Sequence, residues 1–224
     1  MSQPETLDIP VAPEPEFQVI DAASRRFAAV PAIEFDVHVT EPGGRQVHAI
    51  YLTAQVMIEP ARRTYDAETR EKLVDLFGPP ERWATTTRSL VWHQADVLVP
   101  AFTGATTFKV TMPVSFDMEV ASSKYLYALP GDVVPLAFNF NGTVHYRNED
   151  GELQMSLIPW SCTAEFRFKV ATWRELLDQH YPRTGWVPVH AETLEELMRV
   201  KAERALPTLD ACVAELLKEA GDGS

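Results

Sequence analysis

Histidine and cysteine are the side chains best suited to hold a metal or attack a substrate, and this chain carries six of the first and two of the second. His38 and His48 flank the turn-like stretch Glu41-Pro-Gly-Gly-Arg45, where two strands joined as a hairpin could place two imidazoles on one cation. Parity argues against it. His38 alternates with Phe35 and Val37 toward solvent, whereas His48 shares parity with Ile50 and Leu52 on the core side, so only a bulge would unite them. His93 and Asp96 are an acid–base pair by type, but a three-residue spacing sends them to opposite faces of a strand. His180 falls on the apolar side of a helix and reads as a core or interface residue. His145 and His190 have no acid or cysteine at ligand spacing.

The remaining motifs fall away in the same manner. Cys162 and Cys212 are far apart and form no CxxC pair. Cys212 lies on an apolar helical stripe as a buried thiol, and Cys162, after Trp160-Ser161, has no activating base near it in sequence. There is no GxSxG elbow, no Walker-type phosphate loop, no GxGxxG after a strand and no HExxH helix. No catalytic, cofactor or metal residue is assigned, and the chain is expected not to be an enzyme. Five tryptophans (Trp83, Trp92, Trp160, Trp173 and Trp186) are core material, with one or two suited to anchor a partner.

The elements that would position these residues are mostly strands. Ile33, Phe35, Val37 and Val39 alternate on one face, then Ile50, Leu52, Ala54, Val56 and Ile58 do the same, which predicts an antiparallel hairpin across the Pro-Gly-Gly turn. Residues 66–77 read as a helix stopped by Gly78, Pro79 and Pro80. Strands follow near 90–99, 106–120, 133–147 and 152–170, with Asn148–Gly151 a hairpin turn and Asn141-Gly142 another turn. Pro113, Pro135 and Pro159 mark bulges, edges or strand ends. The period then becomes helical: a helix from Thr172 to Tyr181, a second opened by a Thr193–Glu196 capping box, and a third carrying the stripe Leu209, Cys212, Val213, Leu216, Leu217. Whether the 209–220 stripe is core or interface stays open.

The expected fold is mainly β with C-terminal helices (α+β), an antiparallel β-sandwich with helices packed on it. Residues 1–31 form a flexible proline-rich acidic tail, in which Phe17–Ile20 could dock as a short strand. Residues 32–170 form the sandwich, and 171–224 a helical extension packed on it.

Charge narrows the partners. Among 224 residues, 20 Lys+Arg face 32 Asp+Glu, a net charge of −12, which disfavours nucleic acid and anionic membranes. No apolar run approaches the ~18 residues that span a bilayer, so no membrane insertion is expected. The N-terminus lacks the basic and apolar regions of a secretory signal, and a cytoplasmic protein with reduced thiols is expected.

Several strings occur together: Leu76-Phe-Gly-Pro-Pro-Glu-Arg-Trp83, Val99-Pro-Ala-Phe-Thr-Gly104, Lys124-Tyr-Leu-Tyr-Ala-Leu129, Gly142-Thr-Val144, Pro159-Trp160 and Lys201-Ala-Glu-Arg-Ala-Leu-Pro-Thr208. On these strings the chain resembles, over about residues 32–220, a family of actinobacterial-type proteins of unknown function. Its genes often lie among those of a high-affinity nickel–iron uptake hydrogenase. The resemblance implies an accessory, assembly or scaffold role beside a larger redox enzyme, with protein partners and no cofactor; a homodimer is compatible with it. Two alternatives stay open on the residues themselves: a small-ligand or metal carrier, from the histidines, and a chaperone-like β-domain, from the amphipathic strands and helices.

Overall fold

The computed structural model describes residues 12–25, 28–115, 117, 120–148, 150–182, 184 and 187–222. The chain divides into two compact units, Met1–Gly185 and Trp186–Ser224. The first is an antiparallel sandwich with helices, as the alternation predicts. Its smaller sheet has the order β1 (Glu16–Ser24), β2 (Ala32–Thr40), β6 (Ala105–Pro113). The larger is built on two long central strands, β3 (Gln46–Ile58) and β7 (Val133–Arg147). β4 (Leu90–Val99) and the short β5 (Phe102–Thr103) flank β3. On the far side of β7, β9 (Thr163–Lys169) pairs with its first half and β8 (Leu153–Leu157) with its second.

The inward faces are those that period-2 patterning selects. Ile33, Phe35, Val37 and Val39 are wholly buried, as are Ile50, Ala54, Val56 and Ile58. Phe35 meets Phe138 edge-on with ring centroids 5.0 Å apart, which ties the two sheets together. Each valine, isoleucine or phenylalanine among them contributes roughly 1.5–3 kcal/mol by leaving water.

The partners of these strands differ from the expected hairpin. β2 and β3 do not pair: β2 lies between β1 and β6, and β3 between β4 and β7. The Pro-Gly-Gly segment is therefore a corner from one sheet to the other. The buried Glu41 carboxylate holds it, accepting from the Gly43 amide at 3.1 Å and the Arg45 amide at 2.6 Å. The 1–31 segment also differs from a tail through its second half. Glu16–Ser24 is a strand pairing with β2, because Phe17 stacks on Phe140 at 4.3 Å and Val19 is buried. Residues 1–11 lie outside the described residues.

Two smaller corrections and one agreement concern local signals. Asn141-Gly142 is not a turn but the middle of β7. The 106–120 strand stops at Pro113, which has no amide to continue the ladder, and a helix α3 (Ala121–Ala128) follows, burying Tyr125 and Leu126. The Asn148–Gly151 turn does join β7 to β8, with Gly151 at φ 81°.

Helix α1 (Ala67–Phe77) begins where the Asp66 carboxylate accepts from the Thr69 amide at 2.7 Å, and ends where Gly78 takes φ 76°. The short α2 (Trp83–Thr86) follows, and α4 (Val170–His180) buries Trp173, Leu176 and Leu177 in the first unit.

The second unit is a helical hairpin, α5 (Ala191–Glu203) and α6 (Leu209–Asp222). α5 starts at Ala191, so Thr193 lies inside its first turn and His190 holds the cap position. Arg204 bridges Glu215 at 2.9 Å and Glu219 at 2.6 Å.

Candidate functional site

The outer face of the larger sheet is where polarity and placement disagree. Register puts Leu98, Tyr51, Thr143 and Leu157 side by side across β4, β3, β7 and β8, with His145 beside Met155 and Arg147 beside Leu153 in the next rows. Tyr51, Leu98, Leu153, Met155 and Leu157 are all more than half exposed, Leu157 at 74%. The alternation of β8 is inverted as a result. Its polar Ser156 pairs with inward-facing Val144, whereas its apolar Leu153, Met155 and Leu157 face water.

Beside this row lies a groove of about 380 Å³, lined by Tyr51, Leu52, Thr53, Asp96, Val97, Leu98 and Gly142. Gly142 adopts φ 149° there, and a Cβ on it would lie 2.0 Å from the Tyr51 carbonyl oxygen. Strands β3 and β7 thus approach more closely than any side chain would allow. Asp96, the carboxylate of the groove, is held by the Thr53 hydroxyl at 2.6 Å. His145 packs against the Tyr51 ring at 5.2 Å, with a ring nitrogen 3.3 Å from the Thr143 hydroxyl. Those contacts orient a surface histidine.

The backbone edge adds a second element. Among the described residues β8 pairs only with β7, so its other edge carries unpaired amide and carbonyl groups. No residue of Leu153–Leu157 is charged. Edge strands are normally guarded by lysine, proline or brevity, and this one has only brevity.

A model described as a family of unknown function, DUF6084, matches residues 12–224. The chain belongs to the DUF6084 family. No curated protein matches this DUF6084 chain. Among solved structures, a chain described as a late embryogenesis abundant (LEA) protein is similar over 70% of this chain and 71% of its own, at 12% identity and TM-score 0.31. ApaA from Bordetella pertussis is similar at 12% identity and TM-score 0.28, over 70% of this chain and 96% of its own. Spo0M, a sporulation control protein from Bacillus subtilis, is similar at 10% identity and TM-score 0.26, and covers 84% of this chain against 56% of its own.

The histidines and cysteines of the DUF6084 chain are scattered. His38 faces outward with a ring nitrogen 3.3 Å from the Thr107 hydroxyl. His48 is exposed, against the core-side expectation, because a bulge between Val47 and Ala49 buries both neighbours and turns His48 out. The two lie in different sheets. His93 pairs in register with Val56 and Asp96 with Thr53, on opposite faces as their spacing predicts, and burial holds the His93 imidazole below its ordinary range. His180 is half-buried at the end of α4, with Nδ1 2.9 Å from the Leu176 carbonyl. His190 is exposed.

Cys162 donates to the Pro15 carbonyl at 3.5 Å, and burial pushes its thiol upward, away from thiolate. Cys212 is buried between α5 and α6, its thiol 3.7 Å from the Leu197 carbonyl. No group of three His, Cys, Asp or Glu converges to hold a metal among the described residues. Of the tryptophans, Trp173 is fully buried, Trp92 packs on Phe168 at 5.2 Å and Trp160 is 88% exposed; Trp186 lies outside the described residues. No helix among the described residues is long and apolar enough to cross a membrane.

The outer-face row is not legible in the sequence. Its signal was present as Leu153, Met155 and Leu157 around Gln154 and Ser156, but alternation alone does not say which face points in.

Proposed function

We propose that the chain is a non-enzymatic accessory or assembly protein that docks on a protein partner through the outer face of its larger sheet. The partner supplies an extended segment that adds to the free edge of β8, and an adjoining apolar surface that covers Met155, Leu157, Tyr51 and Leu98. The inverted polarity of β8 is the observation that carries this reading: three apolar side chains face water while a serine points inward. Strand addition uses such an edge, with main-chain hydrogen bonds supplying affinity and alternate side chains supplying specificity. Leu153–Leu157 carries no charge in a chain of net charge −12, so a segment seated on that strand need not desolvate carboxylates. The partner we propose is a larger redox enzyme, a nickel–iron uptake hydrogenase or one of its maturation proteins, following the family resemblance.

The test is affinity capture of the tagged chain from its native host, run in parallel with the Met155→Glu/Leu157→Glu double variant. Hydrogenase subunits or maturation proteins should be recovered with the parent chain and lost with the variant, whose unfolding midpoint should stay close to the parent's because both positions are exposed. Equal recovery by both chains would remove the face from the proposal, and a parent chain recovered alone would remove the accessory role.

A further inference from the structure

The second unit carries an apolar face that its own two helices do not use. α5 and α6 are 13 and 14 residues long, a length at which isolated helices are marginal in water. Among the described residues of this unit Cys212 alone is fully buried, while Leu194, Met198, Val213 and Leu217 are each at least 40% exposed. We propose that the unit is a self-association module, in which α5 and α6 pack on α6 and α5 of a second copy as a four-helix bundle. The proposal does not rest on the docking reading of the larger sheet.

Placement of the four exposed residues is the first argument. The Cys212 thiol lies 3.7 Å from the Leu197 carbonyl, so these two positions mark where the helices of the hairpin face each other. Counted from there at about 100° per residue, Leu194 and Met198 on α5 and Val213 and Leu217 on α6 all turn to one side of the hairpin. Glu196, Glu203 and Glu215 turn to the other. Each apolar pair is four residues apart and so forms a stripe along its helix. One side of the hairpin is apolar and the opposite side is charged.

Symmetry and charge name the occupant. With Leu197 level with Cys212, Met198 falls within about 3 Å of the level of Val213, and Leu194 of Leu217. A two-fold axis parallel to the helices sets α5 of each copy on α6 of the other at those same levels. Met198 then meets Val213 and Leu194 meets Leu217, once on each side of the axis. An isologous interface requires this self-complementarity, and a partner of another sequence does not. The flanks agree in sign: Arg199 is level with Asp210, and Glu192 with Lys218 to within about 2 Å. Among the described residues Glu192, Asp210 and Lys218 make no ion pair within their own copy, whose helix pairs use Glu196, Arg199, Glu203 and Arg204 with Glu215 and Glu219.

The available area sets the strength. A third of the circumference of two helices about 20 Å long and about 12 Å across comes to roughly 500 Å² per copy. A pair of such faces, about 1,000 Å² in all, reaches the lower limit of specific interfaces, which makes a reversible dimer rather than a permanent one.

Sedimentation equilibrium of the full-length chain over a range of concentrations is the experiment. A concentration-dependent dimer is expected. Met198→Glu/Leu217→Glu should weaken it about a hundredfold, because each copy then sets carboxylates against an apolar stripe. Asp210→Arg should weaken it less, and adding Arg199→Asp should restore part of the loss. Register is read separately: Met198→Cys and Val213→Cys chains, mixed and oxidised, should cross-link to each other and neither to its own kind, with the parent chain as control. A parent chain that stays monomeric up to its solubility limit would overturn the proposal and leave the face to the first unit or to a different protein. A dimer that survives Met198→Glu/Leu217→Glu, or cysteine chains that join only like with like, would overturn it as well.

Discussion

A methyl group at position 142 would sit 2.0 Å from the Tyr51 carbonyl oxygen and 2.8 Å from the Leu52 Cα, with the backbone already at φ 149°. Both objections are to backbone atoms of a central strand, which cannot swing aside as a flexible side chain can. Gly142→Ala is therefore expected to cost on the order of 3 kcal/mol, combining an unfavourable dihedral with overpacking. Urea unfolding of the full chain measures it; a loss below about 1 kcal/mol would mean that β3 and β7 separate easily at this point. The same residue shows why Asn-Gly misleads in a sequence. The dipeptide signals φ > 0, which a tight turn needs, but so does a strand that must pass close to its neighbour. Sequence identifies the glycine as special without saying which of the two it serves. His48 is similar: parity counted from Ile50 is sound until a bulge intervenes, and no residue type marks the bulge between Val47 and Ala49.

At the scale of elements, alternation in β2 and β3 predicts which side chains are buried, and Phe35, Val37, Ile50 and Val56 are. It does not predict what the strands pair with. A strand whose inner face is apolar packs equally well beside its sequence neighbour or across a sandwich from it, and Pro-Gly-Gly serves a hairpin turn or a corner alike. The decision here falls to Glu41. Its carboxylate is buried at a 41–45 corner and accepts two amides that the change of sheet leaves without ladder partners, while its own amide donates to the Gly104 carbonyl at 2.7 Å. Glu41→Ala should cost about 2 kcal/mol, the value of charge-assisted hydrogen bonds whose buried donors are left unpaired. Glu41→Gln, which keeps one acceptor oxygen, should cost less. Thermal unfolding of the two variants beside the parent gives the comparison, and a Gln variant as damaging as Ala would show that the corner needs both carboxylate oxygens.

For the whole molecule, the hydrophobic core runs from Val19 in β1 to Leu177 in α4, with Tyr181 the last residue packed against it. Every member belongs to the first unit, Met1–Gly185. The second unit buries Cys212 and leaves Leu194, Met198, Val213 and Leu217 exposed, and its Arg204 ion pairs are solvent-facing, where such pairs contribute about 0–1 kcal/mol. A pair of helices with so thin a core does not offset the conformational entropy of its residues. Two outcomes are expected from cutting the chain after residue 185. The 1–185 chain should retain its near-ultraviolet circular dichroism and an unfolding midpoint within a few degrees of the parent, because every core side chain remains. The 186–224 peptide should show little helix on its own. A large fall in the midpoint of 1–185 would mean that the core named here is incomplete and that the helical pair folds with it as one cooperative body. If instead 1–185 stands alone and still captures the partner that the full chain captures, the binding face belongs to the sandwich, and the apolar stripe of α6 serves some other contact.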